Sequence, residues 1–167
     1  MKAIVAVDRN WGIGKNNGLL FHLKKDMKFF KEKTTGNVVV MGGNTLLSLP
    51  NEKPLPNRTN IVLSDVFYRD DVIMAQSLKE LLNILKNYDT DTVYVMGGAM
   101  MYRTMLPYCD TVYVTKVDAD GEAQVFYENL DKLPNWECIE ESEPEEDNGY
   151  SIKFTTYKNK TPKSLDE

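Results

Sequence analysis

The chain has 167 residues, of which 42% are hydrophobic, and its 20 Lys and Arg against 25 Asp and Glu leave a net charge of −5. This length predicts one domain that buries its own core without disulfides or metal. The acidic balance argues against a nucleic-acid partner, because such proteins usually carry a basic surplus. It does not exclude an anionic small molecule, because a cleft can be locally positive on an acidic protein.

The chain also lacks the sequence signs of a membrane span, an export signal and a metal site. Its apolar start is cut short at Asp8, and no other run approaches the length of a bilayer span. Cys109 and Cys138 are lone thiols, which indicates a reducing compartment and a cytoplasmic protein. His22 is the only histidine, so a zinc set is not available and we predict no metal site. Nothing in the sequence demands more than a monomer.

Short apolar runs rich in Val, Ile and Tyr predict strands along the whole chain. In chain order they are Ala3–Val7, Val38–Met41, Asn60–Leu63, Val72–Met74, Thr92–Met96, Thr111–Val117, Trp136–Ile139 and Ser151–Tyr157. Several are apolar at nearly every position, as expected for strands covered on both faces. Helical patterns separate the early runs, whereas the late runs are strands only. This order indicates an α/β domain with a mainly parallel sheet and an antiparallel C-terminal edge.

Three helices are predicted between the strands. One covers Lys24–Lys33, one begins at a capping box of Ser77 and Glu80, and one covers Ala99–Leu106 and is stopped by Pro107. The apolar stripe of the first is Leu23, Met27 and Phe30, and that of the second is Leu78, Leu81, Leu82 and Leu85. The acidic run Glu137–Asp147 is typical of a solvated loop. Residues 158–167 are interpreted as a polar tail, which leaves residues 1–157 as the domain.

Two of the predicted strands end in a glycine pair. Val38–Met41 runs into Gly42-Gly43-Asn44-Thr45, and Thr92–Met96 runs into Gly97-Gly98-Ala99. Glycine lets a backbone approach a ligand closely, and the start of the next helix presents unpaired N–H groups to an anion. A glycine pair can also be no more than a tight strand-to-helix turn. Two pairs on one sheet favour a ligand, and they suit a dinucleotide with a pyrophosphate.

Asp26 is the most informative acid in the sequence. It opens the predicted helix four residues before Phe30, just after the glycine-rich loop Gly12–Gly18. An acid in the first helical turn is commonly a solvated partner of the helix dipole. A carboxylate held against apolar neighbours can instead pair with a flat, cationic or amidine-like heterocycle. The position of Asp26 beside Leu23 and Phe30 favours this second interpretation.

Arg58 is the candidate cation. It follows the stiff turn Pro54-Leu55-Pro56-Asn57, and a guanidinium held in place can grip a carboxylate through two parallel hydrogen bonds. Taken alone, Arg58 is more typical of an ordinary surface arginine. His22 is interpreted as a solvent-side loop residue.

These features belong to a longer series of motifs whose order and spacing match a known pattern from about Lys2 to Tyr157. The motifs are Ala3-Ile4-Val5-Ala6-Val7-Asp8, Gly12-Ile13-Gly14, Asn17-Gly18-Leu19, Asp26-Met27-Lys28-Phe29-Phe30, Met41-Gly42, Thr45, Pro54-Leu55-Pro56-Asn57-Arg58, and Gly97-Gly98 with Tyr102. This linked set resembles dihydrofolate reductase over nearly the whole chain, and it is far more specific than any one of its pieces.

The resemblance implies an eight-stranded mixed sheet flanked by about four helices, with NADPH as hydride donor and 7,8-dihydrofolate as acceptor. The implied folate-site residues are Ile4, Ala6, Leu19, Asp26, Phe30, Leu49, Leu55, Arg58 and Thr115. The implied cofactor-site residues are Ala6, Ile13, Gly14, Gly18, Gly42, Gly43, Asn44, Thr45, Leu63, Ser64, Met96, Gly97, Gly98, Ala99, Met100, Met101 and Tyr102.

The resemblance also implies roles for single residues. Asp26, hydrogen bonded to Thr115, is expected to hold the amidine-like edge of the pterin and to favour protonation of N5, with water delivering the proton. Arg58 is expected to bind the α-carboxylate of the glutamate tail. Phe21 joins Asp26 and Thr115 as the third expected catalytic residue. The Gly97–Gly98 peptide is expected to be cis, and residues 12–23 are expected to close over the nicotinamide.

The sequence departs from the family pattern at three places. Leu20-Phe21 replaces the usual Pro-Trp, so an indole N–H that could order a water is absent. Gly43 replaces the usual basic residue, which leaves the strength of the preference for NADPH over NADH open; Ser64, Lys53 and Arg69 are candidates to compensate. Glu122-Ala123-Gln124 replaces the Gly-Asp-Thr of many relatives, so loop closure is expected to be tuned differently.

Two other functions compete with dihydrofolate reduction. The first is another pterin or pyrimidine reductase on the same fold, which would not be expected to keep Asp26 together with Arg58. The second is a nucleotide-binding module without turnover, which would have no use for Asp26.

Overall fold

The computed structural model describes residues 1–16 and 18–166; Asn17 of the Asn17-Gly18-Leu19 motif and Glu167 of the expected tail lie outside the described residues. The strands are β1 Lys2–Val7, β2 Gly12–Lys15, β3 Gly18–Leu19, β4 Val38–Gly42, β5 Thr59–Leu63, β6 Ile73–Ala75, β7 Val93–Val95, β8 Thr111–Val117, β9 Val125–Phe126, β10 Trp136–Glu141, β11 Glu145–Asp147 and β12 Tyr150–Asn159. The α-helices are α1 Lys24–Thr34, α2 Gly43–Ser48, α3 Leu78–Leu85 and α4 Ala99–Met105.

The main sheet has the strand order β10-β12-β8-β1-β7-β4-β5-β6, and β11 pairs with β12 outside this path. From β8 to β6 all neighbours are parallel, whereas β10, β11 and β12 form an antiparallel edge. The eight predicted strands are the eight strands of this path. The predicted α/β class, the mixed sheet and its antiparallel C-terminal edge are therefore confirmed. Because the parallel strands point the same way, their carboxyl ends share one edge of the sheet.

Strand β4 shows why the central strands are apolar at every position. Val38 and Val40 pack into the cluster that contains the buried leucines of α3, whereas Val39 and Met41 pack with Leu46 of α2. Successive side chains of a strand point to opposite faces. A strand covered by helices on both faces therefore needs an apolar residue at each position.

Helix α1 has nearly the predicted bounds, but its predicted apolar stripe is wrong at Met27, which is 64% exposed. The helix packs on the sheet through Phe29, whose ring stacks on Phe154 at 4.8 Å and meets Tyr113 edge-on at 5.9 Å between centroids. Positions two residues apart are about 200° apart around a helix. Burying Phe29 therefore turns Met27 toward solvent.

The other two predicted helices are confirmed. Ser77 Oγ accepts the N–H of Glu80 at 3.1 Å, as the capping box requires, and Leu81 and Leu85 of the predicted stripe are fully buried, whereas Leu78 is exposed. Helix α4 ends at Met105, and a 3₁₀ turn over Leu106–Tyr108, which includes the predicted helix stop, follows it.

The expectation of a solvated loop over Glu137–Asp147 is wrong. Most of these side chains are exposed, but the backbone forms β10 and β11, both paired with β12. Charged side chains are compatible with a sheet edge that faces water, so composition alone did not distinguish a strand from a loop. The run ends at Asp147, which is only 6% exposed. Asn148 and Gly149, with φ of 52° and 83°, make the two-residue turn that connects β11 to β12.

A second sheet, in the order β3-β2-β9, was not predicted. Gly12 pairs with Phe126 and Gly14 with Val125, so the contact is far too distant in sequence for a local pattern to indicate it. Glycine permits the close approach: a Cβ at Gly12 would collide with Ala123, and one at Gly14 would lie 2.8 Å from Val125 Cγ2. Part of the expected mobile loop is thus strand, attached to residues 123–126.

The last residues are also attached to the fold. β12 continues to Asn159, and Leu165 packs against the main core cluster. Among the described residues, no helix has the length and apolar character needed to cross a bilayer.

Candidate active site

The two glycine pairs lie side by side at the carboxyl ends of β4 and β7. Beyond the last paired residues of these strands, the N–H of Met96 donates to Val40 O at 2.9 Å and the N–H of Gly42 donates to Gly97 O at 2.9 Å. Helix α2 begins at the second glycine of its pair, Gly43, and helix α4 begins directly after its pair, at Ala99. The two glycine pairs, Gly42-Gly43 and Gly97-Gly98, therefore form one surface at the sheet edge, called the glycine surface below.

This surface fits a ligand that lies against the backbone. Gly97 has a φ of 127°, which favours glycine, and the Gly97–Gly98 peptide is cis, as expected. Gly98 has an ordinary φ of −83°, and a Cβ built there would meet Thr45 Oγ1 at 3.5 Å, an ordinary contact distance. Neither the backbone nor the packing of the protein requires glycine at position 98. Glycine at this position leaves the backbone open to the close approach of a ligand.

Asp26 lies in the first turn of α1, where its carboxylate reaches β8. Thr115 Oγ1 donates to Asp26 Oδ1 at 2.7 Å, which confirms the expected contact between these two residues. Burial raises the pKa of the Asp26 carboxyl above its ordinary 3.8, the Thr115 hydrogen bond lowers it, and the negative charge of Asp147 raises it further. Asp26 is thus a desolvated acid with one hydroxyl donor, not a solvated helix-dipole partner.

Tyr102 connects the glycine surface to β1. Its hydroxyl donates to Ile4 O at 2.7 Å, and its ring lies 3.6 Å from the position a Cβ would take on Gly97. Burial raises the pKa of Tyr102, so the phenol stays neutral. β1 also carries Ala6, whose backbone neighbour across the sheet is Thr115. The predicted folate and cofactor residues of β1, β8 and α4 are therefore close together.

Arg58 is half-buried against α1. Its Nε donates to Pro56 O at 2.9 Å, its Nη1 donates to Thr34 Oγ1 at 3.1 Å, and the guanidinium lies 5.9 Å from the ring centroid of Phe30. Partial burial lowers the pKa of Arg58, and no acidic side chain in the described part of the chain contributes to that pKa. The guanidinium remains a cation with N–H groups left to bind an anion.

Asn60 holds the turn that carries Arg58, and sequence reasoning missed it. Its side chain accepts the N–H of Leu55 at 2.9 Å and donates to Leu55 O at 2.9 Å and to Arg58 O at 3.1 Å. A buried asparagine whose amide is satisfied by backbone groups gives a loop one defined shape. The available signal was a polar residue inside an apolar strand.

The expected apolar wall of the folate site is partly brought together. Ile4 is buried, Phe30 lies against Arg58, and Leu49 and Leu55 pack on the cluster around α2. Leu19 differs, because it sits on the short strand β3 and is 74% exposed. Its place in the folate wall stays a prediction.

Phe21 lies in a separate apolar cluster. It packs there with Leu23, Val117 and Ile152, and its ring meets that of Tyr150 edge-on at 4.8 Å. A Cβ at Gly121 would lie 3.2 Å from Phe21 Cζ. These contacts anchor the end of the loop that precedes α1, and a catalytic contribution of Phe21 stays a prediction.

Side chains of Phe67 and Ser64 crowd the position of Gly43 in this chain. A Cβ there would lie 2.8 Å from Phe67 Cε1, so that the Phe67 ring would have to shift, and 3.0 Å from Ser64 Oγ, which is a tight contact. The departure from the family pattern at Gly43 is thus coupled to Phe67, which sequence reasoning did not consider. Of the candidates to compensate for the missing cation, Arg69 is already paired with Asp71.

The remaining residues expected at the cofactor site are spread over the sheet edge and β2. Leu63 ends β5, Ile13 packs on the main core, and Met101 is buried while Met100 is 76% exposed. Six of the others lie at or just after the carboxyl ends of β4, β5 and β7: Gly42, Asn44, Thr45, Ser64, Met96 and Ala99. Two lie on the second sheet, Gly14 and Gly18.

Two buried acids are further residues that sequence reasoning missed. Asp8, at the end of β1, accepts the N–H groups of Asn10 at 2.8 Å, Gly12 at 2.7 Å and Gly121 at 3.0 Å. Asp147 accepts N–H groups at the start of α1. Asp8 directly follows a strand, which is a usable signal, whereas Asp147 is hidden in an acidic run. In the described residues, no group of three or more His, Cys, Asp and Glu is arranged to hold a metal ion.

A family model, related sequences and a solved structure all identify the same family. Residues 1–159 match the family model described as dihydrofolate reductase. The chain is 35% identical over 162 residues to the dihydrofolate reductase of Bacillus subtilis, covering 94% of this chain and 93% of the relative. It is 34% identical over 157 residues to that of Haemophilus influenzae, covering 90% and 93%. A solved structure of Enterococcus faecalis dihydrofolate reductase complexed with NADP(H) and RAB-propyl superposes with a TM-score of 0.82 at 34% identity over 95% of both chains. The chain belongs to the dihydrofolate reductase family.

Proposed function

We propose that Asp26, held by Thr115, is the residue that binds and tunes the pterin during the NADPH-dependent reduction of 7,8-dihydrofolate to tetrahydrofolate, the reaction of this family. The observation that carries the proposal is the 2.7 Å hydrogen bond between Thr115 and a carboxylate that is otherwise desolvated, at the edge where the parallel strands end. A desolvated acid is expensive to keep charged, so it is retained where its charge or its proton is used.

The glycine surface is the proposed cofactor site. NADPH, when bound, supplies the hydride. The chain would hold it with the backbone at Gly97 and Gly98, the hydroxyl of Thr45 and the start of α2. Tyr102 would support this surface, because its ring packs beside Gly97 and its hydroxyl is bonded to Ile4 O. The protein's contribution is to align two flat rings and to keep water from competing with the transfer.

The substrate site would extend from Asp26 to Arg58 along one side of α1. Asp26 would accept N–H donors from the amidine-like edge of the pterin. Phe30, Leu49 and Leu55 would cover its apolar middle, and Arg58 would bind the α-carboxylate of the glutamate tail. The lack of an acidic partner for Arg58 among the described residues supports an anionic ligand there.

Proton delivery to N5 would use water, with Asp26 favouring the protonated state. Near the proposed pterin site, Asp26 is hydrogen bonded to Thr115. The neutral phenol of Tyr102 already donates its proton to Ile4 O, so it is not the proposed proton donor. A raised pKa allows Asp26 to keep a proton at a higher pH than an ordinary aspartate does. A ternary complex in which N5 is sealed from solvent would contradict delivery by water.

The first test follows the loss of NADPH absorbance after dihydrofolate is added, for wild type and Asp26→Asn in parallel. We expect dihydrofolate-dependent oxidation in wild type and a loss of about 10²-fold or more in the variant at neutral pH. Binding of NADPH without oxidation, in folded wild-type protein, would favour the non-catalytic module. Oxidation with a different pterin or pyrimidine substrate, but not with dihydrofolate, would favour the same-fold reductase.

We also propose that the enzyme works as a cytoplasmic monomer, without nucleic-acid or membrane partners. The support is the net charge of −5 and two cysteines that are both free, Cys109 buried and Cys138 exposed. Sedimentation of the purified chain with and without ligands tests the oligomeric state.

A further inference from the structure

Asp147 ends the acidic run, yet it is buried where its neighbours are not. It is 6% exposed, while the preceding residues Glu145 and Glu146 are exposed. Its position follows from the hairpin: the Asn148-Gly149 turn pairs Asp147 with Tyr150, which points the Asp147 side chain at the start of α1. Its carboxylate accepts the N–H of Lys24 at 3.2 Å and the N–H of Lys25 at 2.7 Å.

These two bonds supply the N-terminal cap that α1 does not make for itself. The N-cap residue is Leu23, which has no side-chain acceptor, and the first N–H bonded within the helix is that of Met27, which donates to Leu23 O at 2.9 Å. The N–H groups of the first turn otherwise have no partner in the helix. Asp147 therefore caps α1 through its bonds to Lys24 and Lys25, although it lies on β11, more than a hundred residues away in the sequence.

Asp26 is the next residue after this capped pair. Its backbone is set by the cap, and its carboxylate is set by Thr115 at 2.7 Å. Both anchors belong to strands that pair with β12, since Thr115 lies opposite Phe154 and Asp147 lies opposite Tyr150. One strand thus determines how far the cap of α1 is from the hydroxyl that holds Asp26.

We propose that Asp147 is a positioning residue for Asp26, which holds the first turn of α1 so that the Asp26 carboxylate stays against Thr115 and which places a second negative charge beside it. This inference rests on the role proposed above for Asp26. Asp147 does not touch the reacting atoms, and it acts only through α1 and through its charge.

The negative charge of Asp147 shifts the pKa of Asp26 in one direction. The groups that face Asp26 from the elements packed around it are Thr115 on β8, Asp147 on β11 and the neutral phenol of Tyr102 on α4. Of these, only Asp147 carries a charge, and its repulsion raises the pKa of Asp26. Removing that charge is expected to lower the pKa of Asp26, so that the decline of hydride transfer with rising pH begins at a lower pH.

The test compares wild type with Asp147→Asn, which removes the charge and keeps only one of the two acceptor oxygens that cap α1. Glu145→Gln is the matched control, because it removes the same charge from the same strand at an exposed residue whose partner is the Lys25 side chain at 3.8 Å. The readouts are the pH dependence of single-turnover hydride transfer and the pKa of Asp26 measured from its side-chain carboxyl carbon by NMR. We expect a lower midpoint in both measurements for Asp147→Asn, and wild-type midpoints for Glu145→Gln.

The outcomes separate this inference from the assignment of Asp26. An unchanged midpoint in folded Asp147→Asn, or an equal shift in Glu145→Gln, would overturn the electrostatic part of the proposal, and an unchanged single-turnover rate in folded Asp147→Asn would overturn the positioning part; neither result touches the assignment of Asp26. A wild-type pH profile in Asp26→Asn would overturn the assignment of Asp26, and the present inference with it. If Asp147→Asn does not fold, Asp147→Ser, which also keeps a short neutral acceptor, gives the same comparison.

Discussion

The backbone N–H of Asn16 donates to the side-chain oxygen of Gln124 at 2.8 Å, and the N–H of Gln124 donates in return to Gly14 O at 2.8 Å. These two bonds fasten the segment before α1 to the residues before β9. The side-chain acceptor is a neutral amide. These two bonds should therefore not weaken when carboxylates are protonated.

Gln124→Ala is expected to slow hydride transfer by about 2- to 10-fold, because one hydrogen bond contributes roughly 0.5–1.5 kcal/mol. The single-turnover rate should fall by this factor, NADPH release should become faster, and Tm should fall by no more than about a few degrees. Glu122→Gln is the control, since the Lys15–Glu122 pair is exposed and its 3.4 Å contact should contribute little. Equal effects of the two substitutions would show that the Asn16 bond does not hold the loop.

Asp26→Asn is expected to raise Tm near neutral pH although it lowers turnover. Because the pKa of Asp26 is raised in the folded protein, the folded state holds the proton more tightly than the unfolded chain does. Wild type therefore loses stability as pH rises from the ordinary value of 3.8 through the folded pKa. The asparagine variant does not titrate at this position, so the Tm advantage should be absent in acid, grow across that interval and then level off. Thermal melts of both proteins over a pH series test the sign.

Arg58→Ala is expected to weaken dihydrofolate binding by about 1.5–3 kcal/mol, the range for a hydrogen bond to a charged group. This corresponds to roughly 10- to 100-fold in the dissociation constant, with NADPH binding nearly unchanged. Arg9→Ala is the matched control, because Arg9 is an exposed arginine paired with Asp118 at 2.8 Å. Titration calorimetry with each ligand separates the effects, and equal weakening of both ligands would refute the assignment of Arg58.

Gly43→Arg is expected to destabilise the fold by about 1–3 kcal/mol and to leave the preference for NADPH over NADH unimproved. The added side chain would begin 2.8 Å from Phe67 and 3.0 Å from Ser64, so it cannot take its place without moving them. Gly43→Arg combined with Phe67→Ala should recover stability relative to Gly43→Arg alone and favour NADPH more strongly than wild type does. Tm values and the ratio of the two cofactor KM values test this coupling; additive losses would disprove it.

Local patterns in the sequence predicted the main sheet, three of the helices and the two glycine pairs, and the family resemblance predicted the contact of Asp26 with Thr115. Each of these depends on a short motif or on the family resemblance, and the capping of α3 by Ser77 is a case in which a motif of four residues was sufficient. The motifs do not state which strand end is adjacent to which. That relation comes from the parallel pairing of β4 with β7.

The missed features depend on contacts between distant parts of the chain. The role of Asp147 could not be predicted from its acidic neighbours, because nothing nearby in the sequence shows that its carboxylate accepts the N–H groups of Lys24 and Lys25. Phe67 was not connected with Gly43 for the same reason. The Asn148-Gly149 turn is a local signal for the β11–β12 hairpin that the sequence does contain.

The pairing of β12 with both β8 and β11 has a consequence for the time at which the site can form. Asp26 leaves the ribosome early, but the strand that sets its two anchors is β12, Tyr150–Asn159. Synthesis proceeds from the N-terminus, and long-range strand pairing is slow because a large loop must close first. A nascent chain that has emerged only as far as β8 can form much of the parallel sheet without a competent carboxylate. Activity should therefore appear after the bulk of the secondary structure, both during translation and in refolding.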